Sequence, residues 1–165
     1  MNKLFEIPLF VVCVGLPYIG GLLGSLAVAR NMEWFDKLEK PIFNPPFWVF
    51  GVAWGIMYGV IGLASYFVVR NRQYGKRLIL PVVVYLIHLA LNWSWPPVFF
   101  GLEQIESAIG IIVAVFITAL FTAISFGMIS KTAAFLFIPY LQWLIFALAL
   151  NISFAVLNPA QARYQ

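Results

Sequence analysis

Cysteine and histidine occur once each in this chain, as Cys13 and His88. An intramolecular disulfide, a cysteine metal site and a histidine cluster are therefore excluded, and neither a metal nor any other cofactor is expected. Charge is scarce too, since only 10% of the 165 residues are Asp, Glu, Lys or Arg against 63% hydrophobic ones. A water-soluble fold spreads charge over every face, whereas here the charges fall in short clusters between long uncharged stretches, so the solvent around most of the chain is lipid. The net charge of +4 does not point to nucleic acid, because the basic residues form no continuous helical face. Arg70, Arg72, Lys76 and Arg77 instead crowd one short loop, the pattern of a topology signal or a headgroup contact. Phosphate loops, metal-ligand spacings and Ser-His-Asp sets are all missing, and the six acids sit at span edges or in loops.

What is present is a series of charge-free intervals. They run from Glu6 to Arg30, Lys40 to Arg70, Arg77 to Glu103, Glu106 to Lys131 and Lys131 to Arg163. A hydrocarbon core of about 30 Å requires about 20 apolar helical residues, and backbone groups in lipid must be satisfied within their own segment. The expected fold is an all-α membrane protein, a bundle of five transmembrane helices near 7–29, 47–69, 78–100, 107–130 and 134–157, forming a single domain over 1–165. The N-terminal run, ending in Ala27-Val28-Ala29, imitates a cleaved leader but is over-long and broken by Pro8, Pro17 and glycines, so it is read as the first span.

Pro41-Ile42-Phe43-Asn44-Pro45-Pro46 cannot be regular helix, because proline removes donors and pushes its predecessor to extended geometry. The second helix should therefore begin near Phe47, leaving 30–46 as a long first loop whose Trp34 and Phe35 dip toward the bilayer interface. The other connections are short, which predicts consecutive helices as antiparallel neighbours. Six basic residues, Lys3, the four of the second loop and Lys131, share the N-terminal side, and Arg30, Lys37, Lys40 and Arg163 lie on the other. This is a weak bias, toward a cytoplasmic N-terminus in a Sec-inserted protein. Gly51, Gly55 and Gly59, then Gly110, Ala114, Thr118 and Thr122, and less fully Gly20 and Gly24, form small-residue ladders. Each allows close approach of another backbone, within the bundle in preference to a homodimer seam.

Few polar or aromatic groups lie inside the spans. Trp54 and Tyr58 are one turn apart on the second, Asn92, Trp93 and Trp95 sit together on the third, and Trp143, Ala147 and Leu150 follow one stripe of the fifth, below Pro139 and Tyr140. Asn92 and Asn151 need partners across helices or on a ligand, because an amide in lipid is costly when unpaired. His88 is the only intramembrane ionisable candidate and is read as a packing or cavity-lining hydrogen bonder, which counts against an ion-coupled transporter or an exporter of hydrophobic cations. Tryptophans, a tyrosine and an asparagine converging on one interior would make a pocket for a planar aromatic or a sterol, held by stacking and area burial with one polar anchor.

The run Trp34-Phe35-Asp36-Lys37-Leu38-Glu39-Lys40-Pro41, then Asn44-Pro45-Pro46, Trp54 and Tyr58, resembles the first loop and second helix of the translocator protein family (TspO, or peripheral benzodiazepine receptor). Leu89 through Asn92-Trp93-Ser94-Trp95-Pro96-Pro97 to Gly101 resembles its third helix, and Pro139-Tyr140-Leu141-Gln142-Trp143 through Leu150-Asn151 its fifth. The resemblance implies a bundle, commonly homodimeric, whose cavity beneath the first loop binds porphyrins and synthetic ligands such as benzodiazepines. By that resemblance the lining comprises Ser25, Phe35, Pro45, Trp54, Tyr58, Asn92, Trp95, Trp143, Ala147 and Leu150. Some members degrade protoporphyrin in light and oxygen with a tryptophan pair, matched here by Trp54 and Trp143. Two readings follow: the indoles give an electron or hydrogen to an excited porphyrin, or they only pack it. Phe35 stands where the family often has Tyr. Ile152 and Val156 stand where animal members carry the Tyr and Arg of a cholesterol motif, so porphyrin ranks above sterol as the expected ligand. The Trp93-Ser94-Trp95 run resembles animal members and favours a mitochondrial outer membrane over a bacterial membrane.

Overall fold

The computed structural model describes residues 3–159; Arg163, counted above among the basic residues, lies outside them. Long helices α1 (Lys3–Arg30), α3 (Phe47–Val69), α4 (Ile79–Pro96), α5 (Ile105–Gly127) and α6 (Lys131–Leu157) make up most of the chain, with a short helix α2 (Met32–Lys37) after the first. Among the described residues five segments are long and apolar enough to cross a membrane: Glu6–Arg30, Phe47–Val69, Gln73–Gly101, Ile105–Gly127 and Lys131–Leu157. Large apolar side chains such as Leu22, Trp48, Ile117 and Phe135 point outward, as helices bathed in lipid require.

Proline and glycine shape the ends and bends. Phe47 is the first residue of α3, with Pro46 extended before it at ψ 141°. Pro96 and Pro97 remove two successive donors, and the chain responds with a wide π-type turn over Pro97–Gly101, closed by a bond from the Leu102 N–H to the Pro97 carbonyl of 2.9 Å. Pro17 leaves the Cys13 carbonyl without its helical partner, and Ser65 Oγ on α3, which donates mainly to the Gly62 carbonyl at 2.8 Å, approaches it at 3.4 Å. Gly75 takes φ +51° within the tight 3₁₀ segment Arg72–Leu78, a conformation open to glycine at little cost. Ser130 caps α6, its Oγ accepting from the Ala133 N–H.

The helices close a ring in the order α1, α3, α6, α5, α4 and back to α1. This departs from simple neighbour-to-neighbour winding: α3 and α4, consecutive in sequence, lie across the ring with little contact. A chamber opens in the space between them. The first loop departs as well, since it starts with the turn of helix α2, braced by a Glu33–Lys37 ion pair of 2.8 Å. Phe35 is only 4% exposed and packs inward, so it forms a roof and does not lie along the interface.

The glycine ladders divide. The close backbone approach occurs at Gly62, where an added Cβ would stand 2.8 Å from Val14 Cα. Gly20 receives the Trp93 ring, Gly21 Tyr58 and Gly24 Pro96. Gly51, Gly55 and Gly110 have no atom within 4 Å of an added Cβ, so the first two form open wall and not a helix seam. Thr118 of the α5 ladder meets His88 of α4.

Candidate functional site

The chamber has a volume of about 350 Å³ and is walled by α1, α3, α4, the Pro97–Gly101 turn and α6, with α2 above. This volume falls in the ~300–1,000 Å³ range of small-molecule sites. Helix α5 contributes nothing to the wall and lies behind it. Aromatic rings dominate: Phe35 at the roof, Phe47, Phe50, Trp54 and Tyr58 from α3, Trp95, Phe99 and Phe100 from α4 and its turn, and Phe154 from α6. Among the described residues no Asp, Glu, Lys or Arg lines it. On the α1–α3 side the wall thins, because the two helices meet at Gly62 and part toward Ser25 and Gly51, where Leu22 remains 70% exposed.

The sequence-predicted residues separate into those facing the space and those behind it. Ser25, Phe35, Trp54, Tyr58, Asn92, Trp95, Ala147 and Leu150 line the chamber. Pro45 does not: the turn closed by the Asn44 N–H on the Pro41 carbonyl, at 2.8 Å, leans outward, and Phe43 packs on Phe146. Trp143 does not line it either, but stands edge-on behind Trp54 with ring centroids 6.0 Å apart and planes at 88°. Its Nε1–H is buried with no hydrogen-bond partner. Trp93 is turned away to α1 and donates to the Pro17 carbonyl at 3.2 Å.

Lining residues not foreseen include Tyr18, Gly51, Gly55, Phe99, Phe100, Asn151 and Phe154. Helical spacing could have found some: Phe154 lies one turn beyond Leu150, and Tyr18 two turns before Ser25. Phe99, one turn beyond Trp95 and stacked on it with ring centroids 5.0 Å apart, could be found in the same way, whereas Phe100 enters the wall only because the π turn shifts its angular phase.

Polar side chains tie the walls together. Trp95 Nε1 donates to Asn151 Oδ1 at 3.0 Å, and Asn151 Nδ2 donates to the Ile105 carbonyl at 2.9 Å, joining α4, α6 and α5. Tyr58 Oη donates to Asn92 Oδ1 at 3.0 Å, and Asn92 Nδ2 to Tyr140 Oη at 2.8 Å, joining α3, α4 and α6. His88 is wholly buried behind this set and does not reach the chamber. The roof is pinned from below: Asn158 Oδ1 accepts from the Glu39 N–H at 2.9 Å and its Nδ2 donates to the Glu39 carbonyl at 3.0 Å. Phe35 beneath that strap touches Phe47, Phe99, Phe100 and Phe154, and Lys40 Nζ lies 5.1 Å above its ring.

Fold and chamber together define a class, a multi-pass integral membrane protein with an uncharged, aromatic-walled cavity inside a ring of five helices. The match to the TspO/MBR family model spans residues 13–157. The chain is 37% identical over 137 residues to the translocator protein of Homo sapiens, covering 82% of this chain and 81% of that one. It is 34% identical over 160 residues to the tryptophan-rich protein TspO of Chlorobaculum tepidum, covering 96% of this chain and 100% of that one. With the tryptophan-rich sensory protein of Cereibacter sphaeroides it shares 34% identity over 149 residues, 90% of this chain and 89% of the relative. The chain belongs to the TspO/MBR family. Its relatives come from both animals and bacteria, so membership fixes a multi-pass membrane location without choosing between mitochondrial and bacterial membranes.

Proposed function

We propose that this protein is a membrane receptor and translocator for flat, largely apolar molecules, porphyrins first among them, with sterols and benzodiazepine-type compounds as further ligands. One observation carries the reading: Trp54, Tyr58, Asn92 and Trp95, from two different helices, converge on a single uncharged chamber within the bilayer. Each ring gives a planar ligand a stacking face, and burying apolar area contributes about 25 cal/mol per Å² before the costs of binding are deducted. A tetrapyrrole is larger than the enclosed space, so its charged edge stays outside, through the gap between α1 and α3 or at the roof near Lys40. Passage along that gap is the translocation step. A homodimer belongs to this reading, with the outward face of α5 at Gly110 as the candidate seam, and the mitochondrial outer membrane is the preferred location.

A second reading, light- and oxygen-dependent porphyrin degradation, is favoured by the edge-to-face contact of Trp54 with Trp143. Light-excited porphyrin takes an electron from the Trp54 indole, the Trp143 ring behind it shares the resulting hole, and dioxygen is the oxidant. Titration with protoporphyrin separates the readings. Quenched tryptophan fluorescence with a shifted, persistent Soret band in dark and light supports the receptor; loss of that band only in aerated, illuminated samples supports degradation. Absence of quenching overturns both.

A further inference from the structure

His88 and Tyr140 lie behind the chamber and line none of it, yet they pair a phenol with the only imidazole of the chain. Which of the two holds the shared proton follows from a third partner. Thr118 Oγ1 lies 2.8 Å from the Ala114 carbonyl and 3.1 Å from that of Val115, and carbonyls only accept, so its hydroxyl proton is committed to the α5 backbone. His88 Nδ1, 3.2 Å from the same oxygen, is the donor of that pair. The ring is 0% exposed and meets Thr118, Tyr140, Phe137 and the Val115 backbone, none of them a carboxylate, so it is held neutral with its one proton on Nδ1. Bare Nε2 then accepts from Tyr140 Oη at 3.0 Å.

A phenol that keeps its proton is a poor electron donor, because its oxidised form is a charged, strong acid. It becomes a good one when a base takes the proton in the same step. Imidazole is such a base, whereas an amide or carbonyl oxygen is not. That distinction sorts the tyrosines. Tyr58, with its ring 5.7 Å from that of Trp54, gives its proton to the Asn92 amide oxygen, Tyr18 to the Gly55 carbonyl and Tyr85 to the Ile61 carbonyl. Tyr66 does meet a carboxylate, that of Glu6, but two turns of α3 beyond Tyr58 and away from the chamber. Among the described tyrosines only Tyr140 joins a base to the tryptophan pair. It sits three residues before Trp143 on α6, a spacing that makes side chains neighbours, and Trp143 stands edge-on to Trp54.

We propose that Tyr140 and His88 form a proton-coupled hole trap for Trp54 and Trp143. The inference deepens the second reading above, light-driven oxidation of a bound porphyrin, and rests on it. Excited porphyrin takes one electron from the Trp54 indole and passes it to dioxygen, leaving an indole radical cation. Trp143 relays the hole, and one electron leaves Tyr140 for the indoles as its hydroxyl proton crosses to His88 Nε2. The products are two intact tryptophans, a neutral tyrosyl radical and an imidazolium. No charge is created in this last step; the single positive charge moves from indole to imidazole, where Nδ1–H keeps its contact with Thr118 and Nε2–H faces the tyrosyl oxygen. Asn92 Nδ2, 2.8 Å from that oxygen, remains a donor to it throughout. The pair thereby spares the wall tryptophans from being consumed by the chemistry they start.

The test uses the full-length protein in lipid nanodiscs, loaded with protoporphyrin, aerated, illuminated and frozen for electron paramagnetic resonance. The wild type should give a tyrosyl signal that narrows with ring-deuterated tyrosine and shows hyperfine coupling to ¹⁵N-labelled histidine, which this chain has once. A tyrosyl radical without that coupling, or a tryptophanyl signal alone beside Soret loss, overturns the inference with no variant made. His88→Gln keeps an acceptor for the Tyr140 hydroxyl but no base. Its tyrosyl signal should be lost and a tryptophanyl signal persist while dark tryptophan quenching holds, whereas a merely structural role would lower quenching and both radicals together. A tyrosyl signal that survives in Tyr140→Phe also overturns the trap. Absence of both protein radicals and of Soret loss overturns the degradation reading, and this inference with it.

Discussion

Trp143 stands edge-on against the back of Trp54, 6.0 Å between centroids, and only Trp54 of the two faces the chamber. The two tryptophans are thus arranged in series, one ring at the wall and one behind it.

This arrangement separates the two residues by experiment. Trp54→Phe should weaken dark porphyrin binding several-fold, through loss of stacking area and of an indole N–H at the wall. Trp143→Phe should leave dark affinity within about twofold. It removes a buried N–H without a partner, an atom whose burial costs about 1–3 kcal/mol, and that relief offsets the smaller ring, so the melting temperature should hold. If illuminated degradation nonetheless falls in Trp143→Phe, the inner indole acts in electron transfer. Fluorescence titration, thermal melting and Soret decay are the three measurements.

Glycines of α3 that look alike in sequence should respond oppositely. A methyl at Gly62 meets Val14 backbone at 2.8 Å, so Gly62→Ala forces α1 and α3 apart and should cost about 1–3 kcal/mol, read as a lowered melting temperature. Gly51→Ala meets nothing within 4 Å and should leave stability unchanged. Gly51→Leu, by contrast, would project into the open α1–α3 side, and stopped-flow quenching should register slower ligand entry with the fold intact.

Asn158→Ala removes both bonds to Glu39, at 2.9 and 3.0 Å, that hold the first loop over the chamber. At about 1 kcal/mol net per bond, the roof opens more often and ligand dissociation should accelerate on the order of tenfold, with the wall contacts untouched. An unchanged dissociation rate would mean that ligands do not leave past α2.

The Glu33–Lys37 pair on α2 sets a small pH dependence. Its hydrogen bond to Lys37 holds the Glu33 carboxyl below the usual value, and the same bond holds the Lys37 ammonium above its own. The carboxylate's contribution is present above the unfolded Glu value and lost as pH falls through the depressed folded one. The ammonium's is present below the unfolded Lys value and lost as pH rises through the raised folded one. Between those limits melting should be flat with pH. Because both groups are fully exposed, about 0.15 M salt should erase most of the effect at either end.

Much of the site was legible as residue types on helical stripes. Trp54 and Tyr58 one turn apart, and Ala147 and Leu150 on one face, reach the chamber as their spacing requires. Trp93 and Trp95 are two residues apart, about 200° around a helix, so they must face nearly opposite ways. Spacing by itself did not say which one faces the chamber, and only the family resemblance named Trp95, because the choice depends on Gly20 of α1 accepting the Trp93 ring, a contact distant in sequence. Trp143 and Pro45 share the chemistry of lining residues but sit one layer back, and composition does not encode depth.

The sequence alone determined the five spans, their bounds at charges and prolines, and the demand that Asn92 and Asn151 find partners, since lipid imposes these costs on each segment separately. Only the tertiary structure decided that α3 and α4 stand apart, that Phe35 closes the space between them, and that the Tyr140 hydroxyl meets His88. Those outcomes depend on how each helix is rotated and paired, and rotation is set by the mutual fit of side chains that no single segment specifies.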